Sequence, residues 1–280
     1  MHSDLHTHST CSDGVLAPAA LVRRAASRHV CVLALTDHDD VSGLEEAGAE
    51  AGVLGVRLVP GVEISVTWSG QGIHVLGLGI DPCERGLVRG LAMQRGDRAS
   101  RAAKIAARFD AMGIAGTLDG AAACAGSSRN IGRNHFARLL VERGLCRDGQ
   151  EAFRRYLGAG KAAFVPHEWA ALGEAIEWIR GAGGYAVLAH PERYKLSGAR
   201  LRGLLREFRA LGGEGLEIGV ASRLNPLPML RLAAAFGLAA STGSDFHAPV
   251  NGGVDLGDTA RIGPGHARVR DLPEDLPVAA

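Results

Sequence analysis

Asp4-Leu5-His6-Thr7-His8 stands near the start of the chain, and Asp245-Phe246-His247 nearly mirrors it toward the other end. Residues two apart on a strand point to one face, so each segment presents two metal-binding side chains to the same space. Outward from these segments, short apolar and β-branched runs recur, predicting strands over 3–8, 31–36, 57–64, 73–80, 185–189, 215–219 and 238–244. Helical patterns fall between them at 18–27, 41–51, 172–182, 197–210 and 228–236, the first opening on Pro18. Strands alternating with helices imply an α/β fold with a largely parallel sheet, and seven strands suggest a (β/α) barrel. Trp68-Ser69-Gly70-Gln71-Gly72 is too short for a helical crossover. It reads as a turn joining the third and fourth strands into an antiparallel hairpin, which makes the barrel irregular.

Residues 84–163 lack strand signals, are rich in Ala and Arg, and predict helices at 87–109 and 134–143. They are expected to form an inserted helical cap on a discontinuous barrel domain of residues 1–83 and 164–280. Beyond His247, Gly, Pro and Asp without periodicity predict an extended tail. The formal net charge of +1 hides an asymmetry: residues 84–161 carry 15 Lys and Arg against 7 Asp and Glu, and the remainder 16 against 23. A basic module facing an acidic, His-rich one suits a polyanion held over cations, although an Arg-rich helical face is also what ordinary solvation produces.

At 280 residues, 46% hydrophobic and 22% charged, the chain is long enough for a substantial core. Its five cysteines are odd in number and never spaced Cys-x-x-Cys, which argues against a disulfide framework and for a reducing cytoplasm. No apolar run reaches the 18 or so residues of a membrane span, and the first residues do not resemble an export signal. Aromatic residues make up 5% of the chain, and Tyr156, Trp169 and Tyr194 are scattered, so no base-stacking platform is expected and long nucleic acid is an unlikely partner.

The polar residues gather at predicted strand ends, where barrel enzymes build active sites. His6 and His8 end the first strand, with Asp13 after it; Asp37-His38-Asp39 ends the second; Glu63 lies on the third; His190 ends the fifth; Asp245 and His247 end the seventh. Singly, each has a dull explanation as a capping or hydrogen-bonded residue. Brought together without cations, the acids would repel one another at a cost of several kcal/mol. Imidazole and carboxylate without thiolate suit zinc, manganese or iron(II), and three acids tilt the choice toward manganese or a mixed site. So many donors exceed one ion, and a pair sharing a carboxylate is the recurring arrangement for phosphate esters, with Glu63 the candidate bridge. His74 fits least well because it begins its strand; a hairpin would return it to the same rim.

The order His-x-His, Asp-His, Glu, His, His-Pro, Asp-x-His resembles the polymerase and histidinol phosphatase (PHP) superfamily from His2 to His247. The resemblance implies an irregular seven-stranded barrel of PHP type and two or three divalent ions, manganese preferred with zinc, iron or magnesium as alternatives. It also implies the ligands His6, His8, Asp13, His38, Glu63, His74, His190, Asp245 and His247, with Glu63 bridging. Ser127-Ser128-Arg129-Asn130 and Arg133-Asn134-His135-Phe136-Ala137 are similar to a segment of the nucleoside 3′,5′-bisphosphate phosphatases, a branch that includes 5′-to-3′ exoribonucleases. By that likeness Arg129, Asn130, Arg133, Asn134 and His135 would contact phosphate near a helix start. Arg98, Arg101 and Lys104 share a helical face and could reach a second phosphate, although a solvated face explains them equally well.

The expected reaction removes the 3′-phosphate of a nucleoside bisphosphate such as pAp, with water activated on the metals as nucleophile. Arg133 and the other cap arginines would take up phosphoryl charge, and His135 or a second water would protonate the leaving oxygen. Short 5′-phosphorylated RNA offers the same phosphate array. Histidinol phosphate, with one phosphate and a cation, suits a basic cap poorly. A noncatalytic metal-binding module is the reading from another class, and the full set of nine donors argues against it.

Overall fold

The computed structural model describes residues 2–125, 130–219, 225–249, 254–262 and 267–269. Strand β1 (Ser3–Asp4) is followed by α1 (Pro18–Ser27), β2 (Val32–Leu35), α2 (Leu44–Leu54), β3 (Arg57–Trp68) and β4 (Gln71–Leu78). Next come α3 (Arg85–Ala111), α4 (Thr117–Ala125), α5 (Arg133–Glu142), α6 (Gly149–Ala152) and a π-helical turn (Phe153–Leu157). The chain then forms β5 (Ala170–Ala171), α7 (Leu172–Gly181), β6 (Tyr185–Leu188), a 3₁₀ turn (Pro191–Arg193), α8 (Gly198–Ala210), β7 (Gly215–Glu217), α9 (Leu227–Ala235) and β8 (Ala239–Ser241).

The sheet runs β1-β2-β3-β4-β6-β7-β8, with β5 pairing β3 to one side. As the short Trp68–Gly72 connection implied, β3 and β4 are antiparallel, with Trp68 opposite Gln71. β6 is antiparallel to β4, and the other pairs are parallel. The predicted first strand survives as two residues. From Leu5 onward the backbone bonds to both sides in turn: Leu5 N–H donates to Thr242 O, His8 N–H to Phe246 O, and Thr36 N–H to Thr7 O. These bonds join the two edges, curling the sheet on itself. The two-residue strand β5 was not anticipated, because two alanines carry no periodicity; β3 is longer than expected and β5 pairs its far end. Helix α2 starts at Leu44 rather than 41 because Asp40 accepts from Ser42 N–H and holds a turn there.

Strand alternation sorts the cores. Leu33 and Leu35 of β2 pack under α1 and α2, whereas Val32 and Ala34 join Leu5, Val59, Leu76, Leu78 and Val187 in a separate cluster on the opposite face. The largest cluster packs α7, α8 and α9 against the sheet, and takes in Leu87 and Leu91 from the first half of α3. The second half of α3, with Ile105 and Phe109, packs instead against Phe136, Leu140 and Leu157 of the helical segment. Each such fully buried side chain contributes about 1.5–3 kcal/mol. Polar ties lock α3 in place: Gln94 Nε2 donates to Ser65 O at 2.6 Å, and Arg98 Nε to Asp39 Oδ2 at 2.7 Å. No helix among the described residues is long and apolar enough to cross a membrane.

Candidate metal centre

Glu63, fully buried in the middle of β3, organises the rim. Its Oε1 lies 2.8 Å from His74 Nδ1 and 2.9 Å from His190 Nε2, and its Oε2 lies 3.0 Å from His38 Nδ1, 3.2 Å from His8 Nε2 and 3.3 Å from His6 Nε2. Asp245 Oδ1 approaches the same nitrogens of His6 and His8 at 3.3 and 3.1 Å. Asp13 Oδ1 lies 3.2 Å from His247 Nε2, and Asp13 Oδ2 lies 3.8 Å from His38 Nε2. All nine sequence-predicted donors therefore meet in one place. His74 reaches it because the hairpin turns β4 back along β3, placing His74 opposite Ser65.

Among the described residues, eight of the nine donors form three overlapping sets whose ligating atoms lie within 4.8 Å of one another: His8, Asp13, His38 and His247; His6, His8, Glu63 and Asp245; and His38, Glu63 and His74; His190 stands beside them, 2.9 Å from Glu63 Oε1. His8, Glu63 and His38 are each shared between two sets. Glu63 Oε2 and Asp13 Oδ1 are buried and accept no hydrogen bond, although imidazole nitrogens stand beside them. Lone pairs converging without a shared proton are what a cation satisfies, so these residues fit divalent ions.

Electrostatics make the same point. Burial would raise the carboxyls of Glu63 and Asp245, but the neighbouring imidazoles hold both well below the usual range. Burial likewise disfavours a charged His8, yet the carboxylates of Asp245 and Glu63 beside it push it up to about 10. At His38 burial prevails, bringing it down to about 4 against the pull of Glu63 and Asp13. The buried acids thus lean on neighbouring imidazoles for compensation, a role that bound cations would take over.

The backbone is strained here. Asp39, His190 and Asp245 adopt positive φ of 50, 28 and 53°, at about 1–3 kcal/mol each. Two residues the sequence did not single out hold this geometry. Glu217, the last residue of β7, accepts from His6 Nδ1 at 2.9 Å and from His190 N–H at 2.6 Å. Arg193 bonds Asp245 Oδ2. Glu217 obeys the same strand-end rule as the predicted donors, applied to the one parallel strand from which no candidate had been drawn.

Beside the donors lies a cleft of about 120 Å³, walled by Asp13, His38 and His74 on one side and by Arg101, Arg133, Asn134 and Trp169 on the other. Arg101 donates to Val165 O at 3.0 Å and Arg133 to Leu157 O at 3.3 Å, and among the described residues neither has a carboxylate partner. Burial and the neighbouring guanidiniums push Arg101 down to about 10, and burial and Arg98 lower Arg133. Asn134 Nδ2 donates to Asp13 Oδ2 at 2.5 Å.

Arg98 also lines the cleft but is committed to Asp39 and Ser65, whereas Lys104 is exposed and does not line it. Asn130 donates to Cys11 O and His38 O, tying the helical segment to the rim. His135 is fully buried, accepts Gly132 N–H on Nδ1 at 2.9 Å at the start of α5, does not line the cleft, and is lowered by burial. Arg129, with Ser127 and Ser128, lies outside the described residues. The aromatic residues, scattered in sequence, are not all remote from the site: Trp169 lines the cleft and carries Arg98 and Arg101 over its ring at 4.9 and 5.6 Å, and Tyr194 OH accepts from His74 N–H.

Residues 4–127 match the PHP domain. The chain is 46% identical over 263 residues to a 3′,5′-nucleoside bisphosphate phosphatase of Chromobacterium violaceum, covering 93% of this chain and 92% of that protein. It is 44% identical over 256 residues to a 5′-3′ exoribonuclease of Haemophilus influenzae, covering 91% and 92%. A solved structure of an amidohydrolase from Chromobacterium violaceum, with bound sulfate and no metal, superposes with a TM-score of 0.92 at 43% identity, covering 96% and 95% of the two chains.

Proposed function

The chain belongs to the PHP domain family, whose members are metal-dependent phosphoesterases, and from that premise we propose that it hydrolyses the 3′-phosphate of nucleoside 3′,5′-bisphosphates such as pAp. The products are a nucleoside 5′-monophosphate and phosphate. The observation that carries this reading is the pair Arg101 and Arg133, half-buried and, among the described residues, without acidic partners in the cleft that Asp13, His38 and His74 share. Two cations kept close together against their own repulsion need an anion, and a monophosphate at the metal centre leaves them without one. A second phosphate answers both needs. The name of the bisphosphate phosphatase relative agrees with this assignment.

His6, His8, Asp13, His38, Glu63, His74, His190, Asp245 and His247 would hold two or three divalent ions, manganese first among them because three of the nine donors are carboxylates. Such ions would supply Lewis acidity and bring the pKa of water down toward about 7. The chain's own residues do the rest. Arg101 and Arg133 bind and orient the distal phosphate, and Asn134 braces Asp13 through Oδ2. Trp169 and Phe153 narrow the cleft and exclude water. Residues 84–163 act as the cap that brings these groups over the barrel, and five free cysteines suit a cytoplasmic enzyme.

Short 5′-phosphorylated RNA is the second reading, favoured by the exoribonuclease relative, since a 5′-terminal nucleotide carries the same two phosphates. Phosphate release and nucleotide release from pAp, 3′-AMP and a 5′-phosphorylated RNA trimer separate the possibilities. The proposal expects kcat/KM for pAp to exceed that for 3′-AMP, which lacks the distal 5′-phosphate, by at least about tenfold, the worth of roughly one charge-assisted contact. Equal values for pAp and 3′-AMP would refute it.

A further inference from the structure

Glu217 touches two different metal-ligand segments at once, and it is fully buried. Both its oxygens face His6 Nδ1, at 2.9 and 3.1 Å, and Oε2 also accepts the backbone N–H of His190 at 2.6 Å. A carboxylate against Nδ1 keeps the proton on that nitrogen. The lone pair then stays on Nε2, the atom that faces Glu63 Oε2, His8 Nε2 and Asp245 Oδ1. The second bond fixes His190 in its left-handed conformation, which aims its Nε2 at Glu63 Oε1. Gly243 shows how tightly this contact is built: a side chain there would overlap His6 Cβ and come within 2.8 Å of Glu217 Oε1.

From this geometry we infer that Glu217 is the positioning residue of the metal centre: it sets the tautomer of His6 and the backbone of His190, and so determines how tightly ions are held. Carboxylates in that place orient imidazole ligands and raise their basicity. The inference rests on the metal reading of the cluster and is independent of which phosphate ester is cleaved.

Glu217→Gln is the test. The amide can still accept from Nδ1–H through its oxygen, but it loses the charge and turns an NH₂ toward the His190 N–H. Chelator-stripped wild type and Glu217→Gln are titrated with Mn²⁺ by calorimetry, and the His6 tautomer is followed by ¹⁵N NMR of the imidazole nitrogens. The expected result is Mn²⁺ affinity weakened by about 10–100-fold, a mixed His6 tautomer, and turnover recovered at high Mn²⁺, which a merely misfolded variant would not show. If Glu217→Gln does not fold, Glu217→Asp, which keeps the charge but shortens its reach, is measured in the same way. Unchanged Mn²⁺ affinity with an unchanged tautomer overturns the inference. A wild type that binds no divalent ion overturns it together with the metal reading, whereas normal Mn²⁺ binding without pAp hydrolysis defeats only the substrate assignment.

Discussion

His74 Nδ1 lies 2.8 Å from Glu63 Oε1 although the two residues stand on opposite limbs of the β3–β4 hairpin, eleven positions apart. The register pairs Glu63 with Leu76 and His74 with Ser65, so the two are diagonal neighbours across the ladder. Diagonal side chains on one face are within reach of each other. The hairpin thereby brings into the cluster a donor that a parallel crossover would have sent to the other end of the sheet.

Glu63 is also the carboxylate shared between two donor sets. Glu63→Gln is expected to lower phosphatase turnover by more than the roughly 10–100-fold typical of residues that only support a ligand, and to lower the bound-metal stoichiometry. Elemental analysis beside steady-state kinetics checks this; full metal content with wild-type kcat would remove Glu63 from the centre.

Arg101→Met separates substrate binding from folding. Arg101 faces other guanidiniums and is lowered to about 10 by burial and by their repulsion, so its loss should leave the melting temperature unchanged or raised. A charge-assisted hydrogen bond of about 1.5–3 kcal/mol should vanish from substrate recognition, raising KM for pAp by roughly 10–100-fold while KM for 3′-AMP, which lacks the distal phosphate, moves little. An equal rise for both substrates would place Arg101 elsewhere in the reaction.

The Arg98–Asp39 pair is expected to matter for stability instead. Arg98 Nε reaches Asp39 Oδ2 at 2.7 Å, its Nη2 donates to Ser65 Oγ at 2.6 Å, and both residues are buried. Arg98→Met leaves Asp39 as an uncompensated buried charge, a loss of about 3–5 kcal/mol. Adding Asp39→Asn should recover part of it. Urea unfolding of the two single variants and the double variant measures the coupling, and additive losses would contradict a direct pair.

Gly243→Ala pushes a methyl group into His6 and Glu217. Overpacking of this kind costs about 1–3 kcal/mol, and because the displaced atoms include a ligand and its support, Mn²⁺ affinity should fall along with the melting temperature. A variant as stable and as metal-competent as wild type would show that the local backbone has room to move.

Metal removal should be visible in stability as well. Ions that bind the folded centre alone stabilise it by about 2.7 kcal/mol at a hundredfold excess over Kd. A melting temperature that rises with Mn²⁺ and falls on chelation is the expected outcome in differential scanning calorimetry.

The gathering of imidazoles and carboxylates at one rim was largely legible in the chain, because strand ends can be read from apolar runs and a polar residue at such an end has few places to point; His74 depended on the hairpin. Helix α1 matched its expected range because Pro18 marks its start and the apolar spacing carries it to Ser27. Strand β5 was not legible, since its pairing depends on how far β3 extends. The arginines were least legible: Arg98, Arg101 and Lys104 share one spacing on one helix, yet Arg98 borders the cleft tied to Asp39, Arg101 borders it without a carboxylate partner among the described residues, and Lys104 meets solvent. Local periodicity and residue chemistry determined that imidazoles and carboxylates would collect at one rim. Only the tertiary structure decided which buried acid supports them and which cations are left without a partner, because both depend on contacts between residues more than a hundred positions apart, such as Glu217 with His6.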